Sequence, residues 1–154
     1  MLWFFDTLVD IPVSCTAGDD GMSMVVSLGR RGDSPPYHIH HTEDELFHVL
    51  DGEIVLLVDG TTERARAGQS LLAPKGVPHT YRILSEQARW TVVTTHGDFE
   101  RFVRAVSRPA ETADLPVPSG PPTEEQEQLV TELAEQHGIE FVGPPLEESI
   151  ARAA

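Results

Sequence analysis

Three histidines and a glutamate fall inside two spaced signatures, Gly32-x5-His38-x-His40-x4-Glu45-x6-Gly52 and Gly68-x5-Pro74-x-Gly76-x2-His79. Imidazole and carboxylate are the donor set of a divalent first-row metal, so the pattern reads as one ion gripped by His38, His40, Glu45 and His79. A lone histidine on an apolar face is ordinarily a hydrogen-bonded core residue. Three within one pair of signatures do not fit that explanation. Side chains two apart on a strand share a face, so His38 and His40 can reach the same ion. Glu45 lies an odd step further on, with Asp44 beside it as the competing carboxylate. The alternation must therefore reset through His41-Thr42-Glu43-Asp44, by a loop or a bulge.

The elements that would position these donors are short. Apolar runs at Leu2 to Phe5, Leu8 to Val13 and Met22 to Leu28 read as strands, with a polar turn at 17–21 between the last two. Glu45 to Leu50, Glu53 to Val58, Thr62 to Ala67, Ser70 to Ala73, His79 to Leu84 and Ala88 to Thr95 continue the series. Asp51-Gly52 and Asp59-Gly60 each stand between apolar runs and predict hairpins. So many short strands, separated by turns, indicate a sandwich or a barrel. After Thr95 the pattern changes. Phe99, Phe102 and Val103 at helical spacing predict a short amphipathic helix, and 107–122 reads as a Pro-rich surface connector. Thr123-Glu124-Glu125-Gln126 is a capping box for a second helix with Leu129, Val130 and Leu133 on its apolar face, and Gly138 stops it.

Composition narrows the choices of partner. The chain has 154 residues, enough for one domain with a substantial core, and its 12 Gly and 12 Pro suit a turn-rich β fold. A net charge of -14 argues against nucleic-acid partners and against anionic membranes. Between 111 and 154 there are ten Asp and Glu to a single Arg, read as a solvated helix face. Cys15 is the only cysteine, so no internal disulfide forms and a cytoplasmic setting is expected. The apolar start is broken by Asp6 and Asp10 and lacks basic residues, unlike a signal peptide or a span. Ile54 to Val58 is apolar on both strand faces, which predicts a homodimer through that strand.

The paired signatures resemble the two motifs of the cupin superfamily. Ile83 stands where that family often has asparagine, a position that is not a metal ligand there. The segments LWFFDTLVDIPV, PPYHIHHTEDELFHVLDGE, THGDFERFVRAVSRPAE and HGIEFVGPPL resemble bacterial single-domain cupins of the quercetin-dioxygenase-like type. The resemblance implies an all-β jelly-roll barrel over 1–96, with 97–154 as a short helical extension packed on it. It implies Glu45 as the ligand, with Glu43 and Asp44 solvated. His41 has the opposite strand phase and should face outward, while His48 packs on the far face of its strand.

Phe47 shares the phase of Glu45 and Tyr81 that of His79, so both should line the interior as a substrate wall; Trp90 is a third candidate whose phase the sequence leaves open. Three imidazoles and a carboxylate leave open positions on the ion for substrate or water. The resemblance then implies a dioxygenase using O2 on a small aromatic or enolic compound, with Glu45 as the general base. Iron is the nominal ion, with Mn, Ni, Co, Cu or Zn compatible with the same donors. The alternatives are a non-oxidative polyketide cyclase or isomerase and a small-molecule-binding cupin without catalysis. A sugar-sensing regulator is a weaker alternative, since no DNA-binding helix pair accompanies the strands.

Overall fold

A computed structural model describes residues 1–15 and 21–154. The expected turn at 17–21 lies, apart from Gly21, outside the described residues. The chain opens with β1 (Leu2–Phe4), β2 (Thr7–Val13), β3 (Ser23–Arg30), β4 (Tyr37–His40) and β5 (Glu45–Asp51). It continues through β6 (Glu53–Val58), β7 (Thr61–Arg66), β8 (Ser70–Ala73), β9 (His79–Ile83) and β10 (Gln87–Thr94). Then come α1 (Asp98–Val106), a two-residue β11 (Arg108–Pro109), α2 (Glu124–Gln136), β12 (Ile139–Gly143) and α3 (Glu148–Ala153).

The strands form two antiparallel sheets, one in the order β11-β1-β2-β3-β10-β5-β8 and the other β12-β4-β9-β6-β7. Period-two alternation builds their shared interior: β3 alternates buried and half-buried along its whole length, and β5 buries Glu45, Phe47 and Val49. Phe47, Val49, Trp90 and Val92 from one sheet meet Ile54, Leu56 and Ile83 from the other in a single cluster. This is the jelly-roll barrel, with helices at its C-terminal end, that the resemblance implies. Cross-strand register pairs Trp90 with Val49 and Val92 with Phe47, which settles the open phase of Trp90: it faces inward.

The two Asp-Gly steps do different things. Asp59 and Gly60 both have positive φ (47° and 77°) and close the β6–β7 hairpin, as a primed turn requires. Asp51-Gly52 is no hairpin. Only Gly52 has positive φ (82°), and β5 and β6 belong to different sheets, so the step turns a corner between them. A Cβ on Gly52 would sit 2.5 Å from the Gln87 carbonyl oxygen, so both conformation and space require glycine there.

Beyond Thr95 the capping box forms as read: Gln126 N–H donates to the Thr123 hydroxyl oxygen while the Gln126 side chain accepts from Thr123 N–H. The packed stripe of α2 is Val130, Leu133 and Ala134, at i, i+3 and i+4. Leu129 lies off that stripe and is 57% exposed, so it does not belong to the apolar face. Strand β12 and helix α3 are additions that the sequence reading does not anticipate. The outer face of β6 presents Val55, which is buried against Leu146 and Ala151 of the C-terminal tail. Arg64 Nη2 donates to the Ala151 and Arg152 carbonyls and Arg82 Nη1 to the Leu146 carbonyl, tying the tail down. The two-sided apolar character of β6, from which a homodimer is expected, is thus satisfied within the chain, and no partner is needed to cover it. No helix among the described residues is long and apolar enough to cross a membrane.

Candidate metal centre

His38 and His40 project from β4 on one face, and His79 opens β9 directly opposite His38 in register. Strand β5 begins at Glu45, after the four-residue reset expected between His40 and Glu45. One donor atom from each of His38, His40, Glu45 and His79 lies within 4.8 Å of all the others, and all four side chains are buried. Donors held about 2.0–2.2 Å from a common ion fall within such a spread, so the cluster fits a single first-row cation. The ring centroids are 4.5 Å apart for His38 and His79, 5.1 Å for His38 and His40, and 5.5 Å for His40 and His79.

Each imidazole is oriented through Nδ1. His38 Nδ1 donates to the Pro36 carbonyl at 2.7 Å and His79 Nδ1 to the Val77 carbonyl at 3.0 Å. A carbonyl can only accept, so Nδ1 carries a proton in both rings and Nε2 faces the centre. His40 Nδ1 instead meets a carboxylate, Glu43 Oε1, at 3.2 Å. At the centre, Glu45 Oε2 lies 2.8 Å from His79 Nε2 and 3.4 Å from His40 Nε2.

Protonation follows from burial and mutual charge. Burial, reinforced by His40 and His79, brings the His38 pKa down to about 3, so its ring is neutral and free to ligate at neutral pH. Burial alone would raise the Glu45 pKa, but His40, His79 and His38 overcome it and hold the carboxyl at about 2. Burial likewise disfavours a charged His40, and Glu45 and Glu43 more than offset it, so its pKa is raised. A carboxylate at Glu45 and a neutral imidazole at His38 are the states in which these groups bind a cation, whereas His40, with its raised pKa, must release its proton to bind one.

The expected wall residues reach the same interior. The Phe47 ring lies 6.4 Å from that of His79 and 6.0 Å from that of Tyr81, and Tyr81 lies 5.1 Å from Trp90. The Trp90 indole N–H is buried without a hydrogen-bond partner among the described residues. His41 faces outward as expected and pairs with Glu140 at 2.8 Å. His48 lies on the outer face of β5 against the Ser70 hydroxyl.

Two features depart from the sequence reading. Glu43, expected to be solvated, is completely buried (0% exposed), because it turns inward beneath His40 and accepts from the Phe99 backbone N–H at 2.6 Å. Asp44 is only half-buried; it accepts from the Lys75 N–H. The second departure is the reach of the C-terminal segment. Strand β12 pairs with β4, placing Phe141 opposite His38, and the Phe141 ring lies 6.5 Å from the imidazole. Phe99 of α1 lies 5.7 Å from the His40 ring. Both aromatics sit in segments whose tertiary contacts carry no local signal; the capture of Glu43 had one, a carboxylate three residues after a ligand across a turn. A surface cavity of about 480 Å³ among Arg31, Arg64, Arg82 and Arg152 includes none of the four donors.

With this geometry established, the comparisons with known proteins agree on the fold and the site's family. The cupin domain family matches residues 24–94, so this part of the chain is a cupin domain. It is 31% identical over 97 residues to quercetin 2,3-dioxygenase of Bacillus subtilis (strain 168), covering 63% of this chain and 29% of that protein. It is 30% identical over 83 residues to the polyketide synthase CurC of Streptomyces cyaneus, covering 53% of this chain and 51% of that protein. The chain therefore spans about a third to a half of these relatives. The solved structure of KdgF from Halomonas sp. superposes with a TM-score of 0.54 at 17% identity, over 60% of this chain and 79% of that one. That likeness supports the fold.

Proposed function

We propose that this protein is a metal-dependent cupin dioxygenase acting on a small aromatic or enolic compound, with iron as the nominal ion. The observation that carries the reading is the buried cluster of three imidazoles and one carboxylate, each imidazole tied at Nδ1 and turned inward by Nε2. The match to a quercetin dioxygenase, over 97 residues or 63% of this chain, supports the reaction class. A divalent ion bound there supplies Lewis acidity to a coordinated oxygen donor and, for a redox-active metal, an electron partner for O2.

The protein's own groups do the rest. Phe47, Tyr81, Phe99 and Phe141 exclude water from the donors and present an apolar surface to a ring or enol. Burial pushes the Tyr81 pKa well above 10, so it stays a neutral phenol able to donate to a substrate oxygen. The unpartnered Trp90 N–H is a second donor on the same wall. Glu45 Oε2 takes the substrate's enolic or phenolic proton. A carboxyl held at about 2 is a weak base, so Glu45 accepts the proton only after moving away from His40 and His79.

Elemental analysis of protein purified without added metal, followed by an oxygen electrode with flavonols and acidic enols, tests the reading. Stoichiometric metal with substrate-dependent O2 uptake supports it; metal without uptake on any such substrate removes the oxygenase assignment. The CurC match favours one second reading, a non-oxidative cyclisation or isomerisation at the same donors. Turnover of an enolic substrate under anaerobic conditions would select it.

A further inference from the structure

Glu43 belongs to neither signature, yet it contacts one of the four donors. It lies in the reset between β4 and β5 and is fully buried. Its Oε1 accepts two hydrogen bonds, from His40 Nδ1 at 3.2 Å and from the Phe99 N–H at 2.6 Å, while Oε2 is buried with no partner among the described residues. A carboxylate half-satisfied in this way is costly to bury, yet it satisfies two donors that an apolar residue would leave unpaired. His38 and His79 each direct Nδ1 to a backbone carbonyl two residues earlier. His40 alone uses a side chain for that purpose. The Phe99 N–H lies in the first turn of α1, and the Phe99 ring packs against His40 itself.

We propose that Glu43 is the positioning residue of the metal centre: it fixes His40 with the proton on Nδ1 and Nε2 toward the ion, and it locks α1 to that ligand. The proposal rests on the metal reading above. Carboxylates behind ligating histidines set ring direction and raise ligand basicity, and their loss typically weakens metal affinity about 10- to 100-fold. Both bonds fall on one oxygen. A glutamine, whose carbonyl oxygen can accept both, therefore keeps the orientation and loses only the charge.

The test is cobalt(II) affinity, read from its visible absorption in competition with a chelator, for the full chain and its Glu43→Ala and Glu43→Gln variants. Circular dichroism and melting in chelator monitor the fold. Glu43→Ala should bind cobalt about 10- to 100-fold more weakly with an altered absorption band, and Glu43→Gln should recover most of that loss. If Glu43→Ala does not fold, Glu43→Met, of similar volume and without an acceptor oxygen, takes its place with the same expectation. Cobalt binding within twofold of the parent in the folded Ala or Met variant overturns the proposal, as does a melting loss in chelator with affinity and spectrum unchanged. A parent chain that takes up no cobalt overturns the metal reading itself, and is thereby told apart from failure at Glu43 alone.

Discussion

His38 departs far from a free histidine: burial, then His40 and His79, bring its pKa from 6.5 to about 3. Between those values the unfolded chain binds a proton at this position that the folded chain does not, so its contribution to stability falls as pH drops from 6.5 toward 3. Glu45 acts in the same direction, but only from 4.5 down to about 2. His40, with a raised pKa, contributes stability that is intact below 6.5 and is lost as pH rises above it. In chelator between pH 6 and 5, the titration of His38 is therefore isolated by comparison with His38→Asn. The stability advantage of the parent over this variant should shrink by about 1 kcal/mol per pH unit. A gap in urea unfolding that stays constant or widens on acidification would refute this. The ligand assignment has a blunter check. His38→Ala and His79→Ala should each retain less than about a tenth of the parent's metal by elemental analysis, and near-native content in either would show that the donor set is wrong.

At the level of elements, turns and edges decide what the alternation leaves open. Gly52 and Gly60 both have positive φ, but a Cβ on Gly52 meets the Gln87 carbonyl at 2.5 Å, whereas nothing lies within 4 Å of Gly60. Gly60→Ala should cost about 1 kcal/mol, from left-handed strain alone. Gly52→Ala should cost upward of about 3 kcal/mol, since the backbone of β10 must also shift. Equal urea midpoints for the two variants would refute that ranking. Most strands were legible because side-chain burial alternates along them, and the second helix because its capping box is a local device. The corner at Asp51-Gly52 was misread as a hairpin, because the dipeptide is the same in both settings and only the sheet membership of the flanking strands tells them apart. Strand β12 was missed since its five residues gain strand geometry only by pairing with β4.

Considered as a whole molecule, the C-terminal segment closes the structure in two places. Phe99 and Phe141 bring it against the candidate donors His40 and His38, and Leu146 with Ala151 covers the outer face of β6. A chain ending after Gly143 would expose Val55 and its neighbours while keeping β12. It should be less stable than the full chain and should associate at micromolar concentration in light scattering, because an uncovered apolar sheet face seeks a partner. An equally stable truncated chain of unchanged mass would show that the tail is dispensable.

The sequence by itself picked out the four candidate donors and most of the strand series, because ligand spacing, period-two alternation and glycine-bounded turns are local properties of neighbouring residues; the barrel came from the resemblance to cupins. Only the tertiary structure decided that Glu43 turns inward behind His40, that Trp90 faces the interior, and that the tail covers the outside of β6. Each of those depends on what a distant segment places against the residue, Phe99 N–H for Glu43, Val49 for Trp90 and Leu146 for Val55. Sequence spacing does not encode such long-range contacts.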